Sequence, residues 1–262
     1  MKAWQSALLP SLAALLLAGC AQVPPDAGQN PDDPYEAFNR QMFAFNDGLD
    51  RVLLKPVTLG YRAVVPEMAR DGVSNVMDNM REPGNALNSF MQGKVSEGIS
   101  TVFRFLLNTT IGIGGIFDVA GRVGMEPHKE DFGQTLGVWG VEPGPYLVLP
   151  LLGPSGMRDV FQWPVQSGLN PMTYALWNEE WYWATGYASL DAVDARSKMI
   201  DAGLDDMRAN VVDEYAAVRS AYRQMRRSLV ADGEQTAEEE LGTLTPLSLD
   251  EDDDEPAQGR KE

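Results

Sequence analysis

The chain has 262 residues, 44% of them hydrophobic, and a formal net charge of −17. An acidic balance of that size leaves no basic stripe for phosphate neutralisation and excludes nucleic acid as a partner. With one histidine and one cysteine, ligands for a histidine-rich or thiolate metal site are missing, and no cofactor is expected.

The chain opens on Lys2, continues through an apolar stretch from Ala7 to Ala18 broken only by Pro10 and Ser11, and reaches Leu17, Ala18, Gly19 and Cys20. A short cationic start, an apolar run too brief to cross a bilayer and small residues before a cysteine describe a lipoprotein signal. Residues 1–19 are therefore expected to be removed, with lipid carried on Cys20. Acyl chains on the sulfur and on the new amino terminus bury tens of methylenes at about 0.8 kcal/mol each, so membrane residence is close to permanent. The next residue is Ala21 rather than the Asp of an inner-membrane retention signal, which favours sorting to the outer membrane. Cleavage leaves 243 of the 262 residues, with no disulfide and no further apolar run of transmembrane length.

Residues 20–34, rich in Pro, Asp, Gly and Gln, read as a flexible tether to a domain over 35–230. Tyr35, Phe38, Met42, Phe45, Leu49 and Val52 recur at steps of three and four, one face of a helix that Pro56 is expected to end. Pro66 and Pro83 mark two further first turns. Ala69, Val73, Val76, Met77 and Met80 form the stripe of the first of these helices, and Leu87, Phe90 and Met91 that of a shorter third one.

The next helix, about Val95 to Asn108, has an inverted pattern. Val95, Ile99, Val102, Phe103, Phe105, Leu106 and Leu107 cover most of its circumference, leaving Glu97, Thr101, Arg104 and Asn108 as a narrow polar line. A helix apolar nearly all round lies deep in protein or in lipid, and its polar line then needs water or partners. Two readings stay open: the wall of a water-filled passage, or an internal network of Glu97 with Arg104.

Ile111 to Ile116 holds three glycines but no dinucleotide loop, since the third glycine of that pattern falls at Phe117. Close backbone packing or a hinge is expected instead. Between His128 and Pro154 glycine and proline dominate. Apolar runs around Leu136, Val138 and Trp139 and around Tyr146 to Leu149 predict an extended hairpin with a movable turn at Glu142, Pro143 and Gly144. Tyr174, Trp177, Trp181, Tyr182, Trp183 and Tyr187 are an interfacial aromatic belt or a set of core rings. Leu204, Met207, Val211, Tyr215, Val218, Tyr222, Met225 and Leu229 predict one long, solvent-facing amphipathic helix, with acids at its start and Arg226 and Arg227 at its end. Residues 231–262 carry twelve acidic and two basic side chains, a net −10. They read as a disordered tail that either keeps the chain soluble or docks a basic periplasmic partner.

Catalytic chemistry is hard to place. His128 lies in a charged loop, and neither a G-x-S-x-G elbow nor a G-x-x-x-x-G-K-S/T loop occurs. An enzyme is not expected.

Several segments taken in order resemble the MlaA (VacJ) family of outer-membrane lipoproteins: Asp33 to Arg40, Phe43 to Asn46, Lys55 to Val57, Val65 and Pro66, Glu82 and Pro83, Arg104 to Thr109, Gly114 to Ala120, Phe132 to Gly137, and Gly144 to Tyr146. The resemblance implies a mainly α fold, a ring-like assembly of amphipathic helices lying in the inner leaflet of the outer membrane, with a Gly/Pro-rich hairpin loop. It also implies an amphipathic channel that removes mislocalised phospholipid from the outer leaflet. Trimeric porins and a soluble periplasmic lipid carrier are the implied partners. Glu97, Thr101, Arg104 and Asn108 become candidate channel residues, Arg104 for the headgroup phosphate, and Trp177, Trp181 and Trp183 candidate interfacial anchors. The family's loop maps to Phe132 to Pro150, where Glu142 and Pro143 stand in place of a further glycine, so its hinge falls to Gly133, Gly137, Gly140 and Gly144. The alternative is a structural, porin-associated lipoprotein without transport activity, and an interfacial hydrolase is third.

Overall fold

The computed structural model of the protein describes residues 23–25, 27–31 and 33–232. Cys20 and the acidic tail beyond residue 232 lie outside the described residues. Helices dominate, as the periodicity predicts, and the only strands among the described residues form one short antiparallel pair.

Helix α1 (Glu36–Leu49) does not stop before Pro56. It passes through a π-helical segment, Asp50–Leu54, into α2 (Lys55–Val64). The Lys55 N–H reaches back five residues to the Asp50 carbonyl. The widened turn ends just before Pro56, so the proline sits in the first turn of α2 instead of ending the run.

Pro66 caps α3 (Glu67–Met91), and Pro83 lies inside that helix rather than opening another. The two expected helices are one. An internal proline costs about 3 kcal/mol, and the packing on either side of it offsets that cost. A Cβ on Gly115 would sit 2.7 Å from the Asn79 Cβ, and one on Gly84 2.8 Å from the Gln166 amide. A tight turn at Gly93 (φ +83°) reverses the chain into α4 (Val95–Thr110). Phe90 of α3 lies so close to Gly98 of α4 that a Cβ there would be 2.5 Å from its ring. The glycines after α4 serve close packing: a Cβ on Gly112 would meet the Phe117 carbonyl at 2.3 Å.

The hairpin expected around Glu142 to Gly144 is displaced. Residues Phe132–Val138 form α6, after the single-turn α5 (Val119–Arg122), because the Asp131 carboxylate accepts from the Gln134 N–H at 2.8 Å and caps a helix there. The strands are β1 (Tyr146–Leu149) and β2 (Gly153–Gly156), with Tyr146 opposite Gly156 and Leu149 opposite Gly153. Gly, Pro and Ser in β2 carry no strand propensity, which hid it from the sequence.

A 3-10 turn (Asp159–Phe161) leads to α7 (Gln162–Leu169), α8 (Pro171–Ala175), α9 (Trp181–Asp201), α10 (Leu204–Ala209) and α11 (Glu214–Val230). The long terminal helix is thus two. Asp213 ends the break between them, accepting from the Ala216 N–H at 3.0 Å to cap α11. Nor is α11 wholly solvent-facing, since Tyr215 and Arg226 are buried.

Burial runs opposite to that of a water-soluble domain. Seven hydrophobic residues are buried among those described, against 22 polar or charged ones, so polar pairing rather than apolar packing must hold the interior. The small apolar cluster of Tyr146, Val148 and Tyr215 lies where α1, β1 and α11 meet. Asn39 of α1 grips β1 like a neighbouring strand, donating to the Tyr146 carbonyl and accepting from the Val148 N–H, both at 2.9 Å. Two turns on, Asn46 does the same for Leu149 and Leu151 at 2.9 and 2.8 Å. Asp33, at the end of the expected tether, is not free: it is fully buried, accepting from Asn39 at 2.8 Å, from Arg219 at 2.7 Å and from the Tyr215 hydroxyl.

Asn39→Ala removes these contacts and leaves Asp33 and two backbone groups of β1 short of partners. The expected loss is about 3 kcal/mol, read as a fall on the order of 10 °C in the thermal unfolding midpoint of the detergent-solubilised protein. An unchanged midpoint would contradict the Asn39 grip.

Candidate functional site

The polar interior lies along one face of α3. A cavity of about 500 Å³ is walled by Asn79, Glu82 and Asn85 of α3, Arg104 and Asn108 of α4, Asp131, Gln134 and Arg226. A second, of about 810 Å³, is lined by Glu67, Arg70 and Ser74 of α3, Arg122, and Asp194, Lys198 and Asp201 of α9. The two share Asn75, Asp78 and Asp118 in their walls and so lie side by side. An apolar cleft of about 590 Å³, lined by Val73, Val76, Met77 and Leu190, adjoins the second cavity, sharing Met68, Gly72, Ile116 and Phe117 with it. Polar and apolar compartments thus open side by side.

Two residues of the polar line of α4, Arg104 and Asn108, line the first cavity, whereas Glu97 and Thr101 are in the lining of neither. Thr101, Arg104 and Asn108 are buried, while Val95, Ile99, Val102, Phe103 and Leu106 on the other side are 39–59% exposed. Arg104 pairs with Glu82 at 3.1 Å and Asp118 at 3.3 Å. Glu97, expected as its partner, stands apart with its carboxylate 3.5 Å from His128 Nδ1, and the Glu97 carbonyl accepts from the Thr101 hydroxyl at 2.8 Å. An internal network exists, but its acids come from other elements. Asn108 donates to Asp118 and accepts from the Ala120 N–H, both at 2.9 Å. Burial pushes the Glu82 carboxyl above its usual range, only partly opposed by Arg104. Burial acts upward on Asp118 too, yet the Gly121 amide, Asn108 and Arg104 outweigh it and hold that carboxyl low.

A second ionic knot closes the far end of the first cavity. Arg226 of α11, 7% exposed, donates to Asp131 at 2.9 Å and to Asp159 at 3.0 Å. Arg158 and Tyr222 also bind Asp159, at 3.0 and 2.8 Å. This explains two of the four candidate hinge glycines. A Cβ on Gly133 would meet Asp159 at 2.6 Å and Arg226 at 2.7 Å, and one on Gly137 would meet Arg158 at 2.7 Å. Both lie inside α6 as close-packing positions. Gly140 (φ +88°) and Gly144 (φ +64°) instead flank the exposed Val141, Glu142 and Pro143 in left-handed conformations that favour glycine.

The aromatic side chains are not core. Trp177 and Trp181 are 74% exposed and Trp183 57%, gathered before and within the first turn of α9. No helix among the described residues is long and apolar enough to cross a membrane. Glu82, Asp118, Asp131, Asp159 and Arg226 escaped sequence reasoning as site residues. Glu82 beside Arg81, Asp131 after Lys129 and Glu130, and Arg226 beside Arg227 sit among polar neighbours, so periodicity carries no signal for them.

Helices with exposed apolar faces around polar cavities and an adjoining apolar cleft define a mainly α-helical protein. The model of the MlaA lipoprotein family matches residues 31–229, and the chain belongs to that family. It is similar to the intermembrane phospholipid transport system lipoprotein MlaA of Escherichia coli strain K12, at 38% identity over 89% of this chain and 90% of the relative. The corresponding lipoprotein of Haemophilus influenzae is 31% identical over 85% and 89%. An uncharacterised protein of Rickettsia felis is 38% identical over 76% and 78%. A solved chain, from work on the structural basis for maintenance of bacterial outer membrane lipid asymmetry, superimposes with a TM-score of 0.66 at 35% identity. That match covers 76% of this chain and 98% of the other.

Asp131→Asn tests the second knot. Burial acts to raise the Asp131 carboxyl, but Arg226 and the Gln134 amide outweigh it and hold it below its ordinary value. Its ionised form therefore stabilises the fold fully above the unfolded value of about 3.9 and loses that contribution as pH falls through the lower folded value. At pH 7 the variant is expected to be less stable by about 2 kcal/mol, because Arg226 keeps one of its two carboxylates. In denaturant titrations the gap from wild type should stay constant down to about pH 5 and close below about pH 4.

Proposed function

We propose that the protein is a non-enzymatic lipoprotein of the outer membrane that takes mislocalised phospholipid out of the outer leaflet and passes it toward a soluble periplasmic carrier. The observation that carries this reading is the adjoining pair of compartments along α3, polar on one side and apolar on the other. Pulling a phospholipid of about thirty acyl methylenes into water costs on the order of 25 kcal/mol at 0.8 kcal/mol per methylene, so transfer needs a sheltered route. The headgroup passes Arg104 and Asn108 while the acyl chains keep to the apolar cleft. The relatives named for intermembrane phospholipid transport support the substrate class.

In this reading the helices lie as a ring in the inner leaflet, tethered by the lipid on Cys20. The exposed face of α4 meets acyl chains and Trp177, Trp181 and Trp183 sit at headgroup level. A trimeric porin flanks the ring. Arg104 is the cation assigned to the lipid phosphate: it exchanges Asp118, whose side chain is 38% exposed, for the phosphate while Glu82 keeps the guanidinium in place. Gly140 and Gly144 let the segment between them move beside the passage.

Reconstituted with its porin, the purified protein is expected to deliver labelled phospholipid from vesicles to a soluble acceptor, and Arg104→Ala to slow delivery at least tenfold. Wild-type rates in the variant would remove Arg104 from the mechanism. Stable porin binding without any delivery would favour a structural brace, and release of lysolipid an enzyme. Phe103→Asp, on the outer face of α4, places a charge where acyl chains are assigned, at a cost of about 3 kcal/mol near the bilayer centre. Its expected effect is weaker retention of non-acylated protein on vesicles, which a water-facing helix would not show.

A further inference from the structure

The larger polar cavity, of about 810 Å³, holds four charged side chains that make no ion pair among the described residues: Glu67, Arg70 and Asp71 of α3 and Arg122 of α5. The other charges in its wall are taken. Lys198 binds Asp78 at 3.3 Å and Asp194 at 3.0 Å, Asp201 binds Arg62 at 2.6 Å, and Asp118 binds Arg104 at 3.3 Å. What remains is two cations against two carboxylates, a balanced set with no excess of either sign. Glu67 and Arg70, three residues apart, have the spacing of a helix ion pair yet form none.

Arg70 and Arg122 stand where this cavity meets the apolar cleft. Arg70 lies between Met68 and Gly72, which belong to both linings, and the Arg122 guanidinium is 6.0 Å from the ring centre of Phe117, which does too. The Arg70 Nε is buried and donates to nothing, so its guanidinium is set in the wall with its donors uncommitted. Glu67, Arg70 and Asp71 fall within about one turn on one face of α3, where side chains three and four residues apart are about 5–6 Å from each other at Cβ. A cation and two carboxylates are therefore presented side by side at the rim of an apolar cleft.

We infer that this cavity selects a zwitterionic phosphoethanolamine group, with the phosphate on Arg70 and Arg122 and the ammonium on Glu67 and Asp71. A guanidinium fork matches phosphate oxygens, and a compact ammonium, with three donors and no acceptor, matches carboxylates. The short spacer of ethanolamine holds its two charges about as far apart as neighbouring side chains on a helix face. An anionic headgroup would satisfy the arginines but face Glu67 and Asp71 as like charges, which is the repulsive element that selectivity requires. With acyl chains in the adjoining cleft the ligand is a phosphatidylethanolamine; the lipid as source rests on the transport reading, the charge selectivity does not. Asp118 belongs to the walls of both polar cavities, which places Arg104 next along for the phosphate.

Calorimetric titration of the full chain in uncharged detergent tests the site, with dihexanoyl phosphatidylethanolamine, dihexanoyl phosphatidylglycerol and glycerophosphoethanolamine as probes. Wild type is expected to bind the ethanolamine lipid saturably and about tenfold tighter than the glycerol lipid. Glu67→Gln/Asp71→Asn is expected to bring the two lipids to similar affinities, and Arg70→Gln and Arg122→Gln each to weaken both. Glu67, Asp71 and Arg122 are exposed and unpaired, so their substitution leaves the fold intact. Tighter binding of the ethanolamine lipid than of glycerophosphoethanolamine assigns a membrane lipid as the natural ligand; equal binding assigns the free phosphodiester. Equal affinities of wild type for the two lipids, a preference that survives Glu67→Gln/Asp71→Asn, or no saturable binding overturns the proposal. If labelled phospholipid is delivered irrespective of its headgroup, the site fails and the transport reading stands. If none is delivered while the charge-dependent preference persists, the transport reading fails and the site stands.

Discussion

Three buried arginines hold this molecule together, each by closing on two carboxylates from separate elements. Arg104 of α4 joins Glu82 of α3 to Asp118 ahead of α5; Arg196 of α9 joins Asp50 of the π segment to Asp205 of α10; Arg226 of α11 joins Asp131 ahead of α6 to Asp159. Their side chains are 5–7% exposed, so each pays a desolvation cost of several kcal/mol that only its paired acids return. Such knots add little net stability compared with apolar packing, but losing one partner strands a charge, which makes the arrangement specific.

That constraint explains the inversion of the rest of the fold. Once the interior is given to charges and amides, the apolar stripes that periodicity locates have nowhere to go but outward. The face of α4 from Val95 to Leu106 is the clearest case, and the tryptophans before and within the first turn of α9 are exposed as well. An apolar exterior of this extent is unstable in water and suits contact with lipid or a protein partner. The same interior leaves room for polar cavities, because paired charges at α3, α4 and α9 cannot collapse on one another as aliphatic side chains do.

The local devices serve the same end. The π turn before Pro56 carries α1 into α2 without a break and presents Asp50 to Arg196 at 2.8 Å. Asn39 and Asn46, seven residues apart on one helix face, stand in for a strand along β1 and tie the hairpin to the start of the domain. Gly133 is small because the Arg226 knot passes within Cβ distance of it.

The sequence by itself determined the apolar stripes of α1, α3, α4 and α11 and which side chains lie together on each, because periodicity is a local property of the chain. The inverted pattern of α4, and the family to which its ordered motifs belong, were readable at that level. Which side of each helix faces inward was not, since an apolar stripe has the same spacing whether it meets a core or a bilayer. Tertiary structure alone decided that Arg104 pairs with Glu82, 22 residues away, rather than Glu97 at seven, because an antiparallel helix pair brings distant carboxylates closer than a second turn of the same helix. It also decided that Pro56 and Pro83 are carried within helical runs and that the terminal helix breaks at Asp213. The energies that settle those points come from partners elsewhere in the fold and leave no periodic trace in the residues themselves.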